Sequence, residues 1–220
     1  METDAGGKIR GPANPHGICS LQPEAACAAC EIGPHLNCRH SWADLATFAA
    51  FFLPFAVTAA GGLLRAGYGW VLAAWGAYAL FFFNVWESRV LCSHCPFYAR
   101  EGRVLHCLAN EGMLKPWRFR PGPMSRTEGI QFLVGAAVLV VLPFPFLVAG
   151  SQYLLAAVAT AAAVAWCVGL RRFICTKCVN FSCPLNRVPK ELVDAYLAKN
   201  PVMRAAWEAA APDRSAPSRR

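Results

Sequence analysis

Along the chain, long stretches without charge alternate with short stretches that hold nearly all of it. Residues 45–64 and 66–86 contain no Asp, Glu, Lys or Arg, with Arg65 alone between them, and residues 129–170 form a third uncharged stretch. At about 1.5 Å per residue, each of the first two can cross a hydrocarbon layer of about 30 Å as a helix. The third would make a helix of about 63 Å, twice what one crossing needs, so it must fold back. Gly150-Ser151-Gln152, just after the Pro143-Phe144-Pro145 interruption, is the expected turn. Buried helices of a soluble bundle would show polar faces at a period of 3.6, whereas these segments are apolar all round. The pattern predicts an all-α integral membrane protein with four transmembrane helices in two hairpins, 41–91 and 125–174.

Composition agrees with that picture. Of 220 residues, 56% are hydrophobic and only 15% charged, where a soluble domain carries about a quarter charged residues. Residues 1–40 are polar and lack the basic-then-apolar start of a signal peptide, so they are expected to belong to the mature protein. All but Arg65 of the 21 Lys and Arg residues fall in 1–44, 87–128 and 171–220. Basic residues of short loops stay in the cytoplasm, so a multi-pass protein of the cytoplasmic (inner) membrane with both termini cytoplasmic is expected. The net charge of +8 then suits anionic lipid headgroups, and no nucleic-acid-binding motif accompanies it.

The two hairpins repeat. Ser41-Trp42-Ala43-Asp44 opens the first and Ser125-Arg126-Thr127-Glu128 the second, each with the spacing of a helix N-terminal cap. Arg89-Val90-Leu91-Cys92-Ser93-His94-Cys95 leaves the first and Arg172-Phe173-Ile174-Cys175-Thr176-Lys177-Cys178 leaves the second. An internal duplication accounts for both, and repeats of this kind place sites at their interface. The chain then reads as a cysteine-rich cytoplasmic segment (1–40), hairpin 1 (41–91), a cysteine-containing cytoplasmic loop (92–124), hairpin 2 (125–174), a cysteine motif with an amphipathic helix (175–200) and a tail (201–220).

Ten of the 11 cysteines lie in the cytoplasmic segments: Cys19, Cys27, Cys30 and Cys38; Cys92, Cys95 and Cys107; Cys175, Cys178 and Cys183. A CxxC turn offers two thiolates to one metal centre, and its backbone amides can donate to the sulfurs. Cytoplasmic thiols are kept reduced, which argues against structural disulfides and against a disulfide oxidase working on the oxidising side. Zinc accepts four thiolates and suits the first group. Cys183-Pro184 and Cys95-Pro96 instead have the cysteine-proline ending that closes a loop around an iron–sulfur cluster. His94, inside a CxxC turn, and His106, beside Cys107, are candidate ligands or supports. Cys167, well inside the fourth span, reads as a helix-packing residue.

In this four-helix layout over residues 42–187 and in its cysteine-proline turns, the chain resembles the membrane iron–sulfur quinol dehydrogenases that accompany periplasmic nitrate reductase and methylamine dehydrogenase. The resemblance implies that Cys92, Cys95, Cys175, Cys178 and Cys183 are redox-site ligands. No complete four-cysteine ferredoxin run is present, so a 4Fe-4S cluster would combine ligands from different groups. Cys92, Cys95, Cys175 and Cys178 could close one site. Alternatively each three-cysteine group takes a fourth ligand from the amino-terminal segment, His94 or His106.

All five histidines lie outside the spans, so an intramembrane bis-histidine haem is excluded by ligand count. No acidic or basic residue falls within the uncharged stretches, which disfavours a proton pump or a carrier of charged substrates. The aromatic residues of the second span, among them Trp70, Trp75, Phe81, Phe82 and Trp86, read as lipid-facing bulk and interface anchors rather than a quinone groove. Lys115 to Pro121 alternates basic and aromatic residues, as a headgroup-level anchor does. Leu192, Val193, Tyr196 and Leu197 share one side of an amphipathic helix over 189–199, and the last ten residues are expected to be disordered. Two functions fit. One is an electron-transfer protein, a subunit of an oxidoreductase, passing electrons between a membrane quinone and a redox or membrane protein partner through iron–sulfur clusters. The other is a membrane scaffold or assembly protein whose cysteines hold structural zinc.

Overall fold

The computed structural model describes residues 2–3, 9–10, 14–23, 27, 29–107 and 109–210. Four helical rods are long and apolar enough to cross a membrane: Trp42–Arg65, Gly69–His94, Arg126–Ala149 and Tyr153–Ile174. The first is one helix, α1 (Trp42–Arg65), started by Ser41, whose hydroxyl accepts the Ala43 N–H. The second comprises α2 (Gly69–Phe81), a π turn (Phe82–Trp86) and α3 (Glu87–Val90), followed by a short turn. Ser125 and Glu128 cap each other's amides in a reciprocal box that opens α4 (Arg126–Val141), and α5 (Pro143–Ala149) continues that rod. The prolines at 143 and 145 stand at the start of α5, where a missing N–H costs little. The expected reversal is found at 150–152, with Ser151 at φ 56°. α6 (Tyr153–Gly169) then returns and leaves through a second π turn, Leu170–Ile174.

The hairpins interlock: α1 packs chiefly along α6, and the rod containing α2 and α3 packs along α4. Phe55, fully buried, lies edge-on to Trp75 at 6.0 Å and stacks on Trp166 at 6.3 Å. Two polar bonds cross this apolar core, from Trp75 Nε1 to the Leu139 carbonyl at 2.8 Å and from Tyr78 Oη to the Gly135 carbonyl at 2.9 Å. Trp75 and Phe82 are therefore core residues, a correction to the lipid-facing reading of the second span, whereas Trp70, Phe81 and Trp86 are exposed. The bundle's outer face is apolar too, with Leu154 77% exposed and Leu80 66% exposed, as a lipid-solvated surface requires. Cys167 lies on that outer face rather than between helices. The small size that suited it to helix packing is equally tolerated against lipid.

A second core forms beyond the rods. Ile18, Leu36, Phe97, Leu105, Val179 and Tyr196 belong to one buried cluster, so the amino-terminal segment, the middle loop and the carboxy-terminal segment build a single cap. α7 (Lys190–Ala198) follows Pro189 and buries Tyr196 and Leu197 in that cap, which places the expected amphipathic helix on the cysteine module. The chain beyond 200 is not tail from its first residue: Pro201–Ala210 forms a further helix, α8, whose Met203 and Trp207 pack on the cap. Its alanines and arginine hid an apolar face that pays its ordering entropy only against the cap. Residues 211–220, expected to be disordered, lie outside the described residues. Near the amino terminus, β1 (Glu2–Thr3) and β2 (Ile9–Arg10) pair antiparallel.

Candidate metal centre

Long-range bonds hold the three cysteine-bearing segments together. The Cys19 N–H donates to Asn200 Oδ1 at 2.7 Å, while Asn200 Nδ2 donates to Cys19 Sγ at 3.1 Å. Tyr196 Oη donates to Ser20 Oγ at 3.1 Å, the Asn37 N–H to the Lys177 carbonyl at 2.8 Å, and Asn180 Nδ2 to the Leu91 carbonyl at 3.2 Å. Each bond joins residues remote in sequence, and together they set the CxxC turns at 92–95 and 175–178 side by side.

The thiols fall into two neighbourhoods. Cys38 lies close to Cys19, Cys27 and Cys30. Cys95 lies close to Cys107, Cys178 and Cys183; Cys107 is near Cys92 and Cys178, and Cys175 is near Cys178 and Cys183. Tyr196, fully buried, stands between the neighbourhoods, near Cys19 and Cys38 on one side and Cys95 on the other.

Burial pushes the thiols of Cys38, Cys107, Cys178 and Cys183 from 9.0 up to about 12, Cys95 well above the usual thiol range, and Cys175 in the same direction. Left to themselves these groups stay protonated. Yet Asn110 donates to two sulfurs of this neighbourhood, its backbone N–H to Cys107 Sγ at 3.2 Å and its side-chain amide to Cys92 Sγ at 3.3 Å. A neutral thiol is a weak acceptor, whereas N–H groups converging on sulfur stabilise a thiolate. Such a donor set fits thiolate ligation, and a bound centre would supply the positive charge that keeps the sulfurs ionised. Among the described residues, no group of three or more His, Cys, Asp or Glu side chains could hold a metal ion.

The candidate histidines point elsewhere. His94 Nδ1 donates to the Gly122 carbonyl at 2.7 Å, and its Nε2 lies 3.5 Å from Glu128 Oε2. His106 Nδ1 meets Glu111 Oε1 at 2.6 Å, and His40 is 3.5 Å from the same carboxylate. Lys115–Pro121 lies over the exit of the second rod: Trp117 Nε1 donates to the Val85 carbonyl at 3.0 Å, and Arg120 bridges Ser93, Arg89 and Glu128. Residues that spacing alone did not single out matter here. Asn110 donates its side-chain amide to Cys92 Sγ at 3.3 Å, and Glu87 is buried near Cys92, Cys107 and Cys183 with Oε2 unpartnered. Asn110, Asn180 and Asn186 each follow a cysteine by two or three residues, a signal that was present but not distinctive.

A cavity of about 420 Å³ opens at this end of the bundle between Trp86, Arg89 and Val90 of the second rod and Ser125, Thr127, Glu128 and Gln131 of the third. Glu128 lines it and also meets His94, so its wall reaches the 92–95 turn. No protein-family model, curated protein or solved structure matches the chain.

Proposed function

We propose that the protein is a membrane-bound iron–sulfur electron-transfer protein that exchanges electrons between the quinone pool and a partner on the cytoplasmic side. The observation that carries this reading is the set of buried thiols, Cys92, Cys95 and Cys175 among them, drawn from two distant loops that the Asn180–Leu91 bond joins. Iron–sulfur clusters are held by thiolates that N–H groups stabilise. Cys95-Pro96 and Cys183-Pro184 carry the cysteine-proline ending of cluster-binding loops, which favours a cluster over zinc. In this reading the cap faces the cytoplasm, because every described Lys and Arg except Arg65 lies at its end of the bundle. The two hairpins descend from one duplicated unit, supported by the caps at Ser41 and Ser125 and by the repeated exit sequence.

The 420 Å³ cavity supports the quinone half of the reading. It sits at the membrane boundary, offers Trp86 and Val90 to a ring, and presents polar groups from Ser125, Thr127 and Gln131 to its oxygens. A bound cluster supplies one-electron chemistry. The residues of this chain bind and orient the ring, and the cap shields the sulfurs from water.

The test is anaerobic purification of the full chain in detergent, with iron, acid-labile sulfide and zinc measured per protein. A brown protein with matching iron and sulfide, reduced by an added quinol, is expected. A colourless protein with stoichiometric zinc and no sulfide overturns the reading in favour of a scaffold. Thr127→Trp, which fills the cavity, should slow reduction by quinol without changing iron content.

A further inference from the structure

A second cavity, of about 280 Å³, lies in the cap and shares no residue with the one between the second and third rods. The amino-terminal segment lines it with Ser20, Gln22, Arg39 and His40, and the middle loop with Arg100 and His106. Its volume is several times the roughly 30 Å³ that one water occupies in the liquid.

Charge sets this cavity apart. Among the described residues neither Arg39 nor Arg100 makes an ion pair, whereas Arg120 has Glu128 and Arg204 has Glu208. Arg39 Nη1 donates to the Gln22 carbonyl at 3.0 Å and lies 3.8 Å from Cys27 Sγ, which fixes one arm of the guanidinium; the other N–H groups have no acceptor among the described residues. The exposed Arg100 side chain makes no hydrogen bond among them either. A guanidinium is charged at every working pH, so two of them on one cavity attract an anion into it. Glu111 does not line the cavity but meets both histidines, His106 Nδ1 at 2.6 Å and His40 Nδ1 at 3.5 Å. One carboxylate against two arginines leaves the walls positive even with both histidines neutral.

The cavity also has a buried donor. Ser20 is 5% exposed, and its hydroxyl accepts from Tyr196 Oη at 3.1 Å, which leaves its own proton to give. No described group takes that proton. Guanidinium forks and a hydroxyl are the donors that match phosphate oxygens. Donors set on the two walls and on a buried residue suit a tetrahedral group better than a planar carboxylate, whose two oxygens lie in one plane with its carbon.

We propose that this cavity binds a phosphate group, with Arg39 and Arg100 as its clamp and Ser20 as its buried donor. The site spans residues 20–40 and 97–106, so its occupant ties the amino-terminal segment to the middle loop whatever the thiols hold. Two sources can supply the group. His40 stands edge-on to Trp42 at 5.2 Å, and Trp42, 71% exposed, opens α1, so one rim lies at the foot of the first rod where a lipid headgroup reaches. A soluble phosphate enters from the water side.

The test uses the full chain purified in a neutral detergent without phosphate. Inorganic phosphate and short-chain phosphatidic acid are titrated separately by calorimetry, and Tm is read by tryptophan fluorescence, with chloride at equal ionic strength and short-chain phosphatidylcholine as controls. At least one of the two phosphates should bind and raise Tm above its control. Arg100→Gln, which loses no bond within the protein, should keep the Tm of the unliganded wild type and weaken binding about tenfold or more, as expected for losing a charged hydrogen-bond donor. Arg39→Lys, which keeps the charge but not the fork, should weaken binding too, and it serves in place of Arg100→Gln if that variant does not give a single elution peak. Arg103→Gln removes an exposed cation of the same loop outside the cavity and should leave binding unchanged. Binding of inorganic phosphate identifies a soluble ligand, and binding of phosphatidic acid alone identifies a headgroup. No binding of either, a Tm rise that the controls reproduce, or binding that Arg100→Gln leaves intact or Arg103→Gln weakens equally overturns the proposal. Iron, sulfide and zinc contents do not enter this result, so it stands or falls apart from the electron-transfer reading.

Discussion

Gly135 on α4 packs against Phe82 of the second rod, and replacing it with alanine tests how tightly the bundle sets the exit of that rod. A methyl group there would stand 2.5 Å from Phe82 Cε2 and 3.0 Å from Phe82 Cδ2. Phe82 opens the π turn and is 2% exposed. It stacks on Phe132 at 6.4 Å and on Tyr78 at 6.1 Å and meets Phe83 edge-on at 5.3 Å, so the ring has nowhere to swing. Overpacking a filled core costs about 1–3 kcal/mol, and a rigid aromatic neighbour puts this case in the upper part of that range. Alanine's better helix propensity returns about 1 kcal/mol, leaving a net loss of about 1–2 kcal/mol. For a chain of this size that lowers Tm by about 2–8 °C. Gly76→Ala is the control, because a methyl group there meets nothing within 4 Å, and it should be neutral or slightly stabilising. The assay is thermal unfolding in detergent followed by tryptophan fluorescence, with Phe82→Leu added to Gly135→Ala. The double variant should recover part of the loss, since the two positions touch. A Gly135→Ala protein as stable as Gly76→Ala refutes the packing argument.

Asn180→Ala removes the amide that holds the Leu91 carbonyl and the acceptor of Ser182 Oγ at 3.1 Å. The Leu91 carbonyl keeps the His94 N–H at 3.2 Å, so the cap should lose about 0.5–1.5 kcal/mol, read as a lower Tm together with faster metal loss to a chelator; unchanged values for both contradict the bridging role. In metal-free protein, burial holds Cys107, Cys178 and Cys183 protonated up to about 12 while unfolded thiols ionise near 9.0. The folded state therefore binds more protons between those values, and the stability present below about pH 9 falls as pH rises. Tm against pH should fall in that window for metal-free protein and much less for the loaded form, whose sulfurs are already ionised; parallel curves would sink the argument. Impermeant thiol reagents on intact cells should label none of Cys92, Cys107, Cys175 and Cys183, although metal-stripped lysates react. Labelling of Cys107 in intact cells reverses the orientation.

The spans were legible because an uncharged run has few alternatives. Stretches 45–64 and 66–86 correspond to rods Trp42–Arg65 and Gly69–His94, and 129–170 folds back at 150–152. The hydrocarbon thickness imposes that reading on any apolar helix of such length. The caps at Ser41 and Ser125 were equally local, each needing only residues within one turn. Cysteine spacing marked candidate ligands for the same reason, since a CxxC turn is complete within four residues.

Tertiary structure decided everything that depends on what lies opposite a residue. Apolar character is the same on every side of the second rod, so only packing sends Phe82 inward and Phe81 toward lipid. Pro201–Ala210 reads as the start of a tail until the cap offers its Met203 and Trp207 a surface. Glu87 looks like an ordinary charge at the end of a span until the loops close over it. Above all, only the closing of the cap brings together loops more than eighty residues apart, as in the bond from Asn180 Nδ2 to the Leu91 carbonyl at 3.2 Å, because such a contact depends on what lies opposite a residue and is no property of the local sequence.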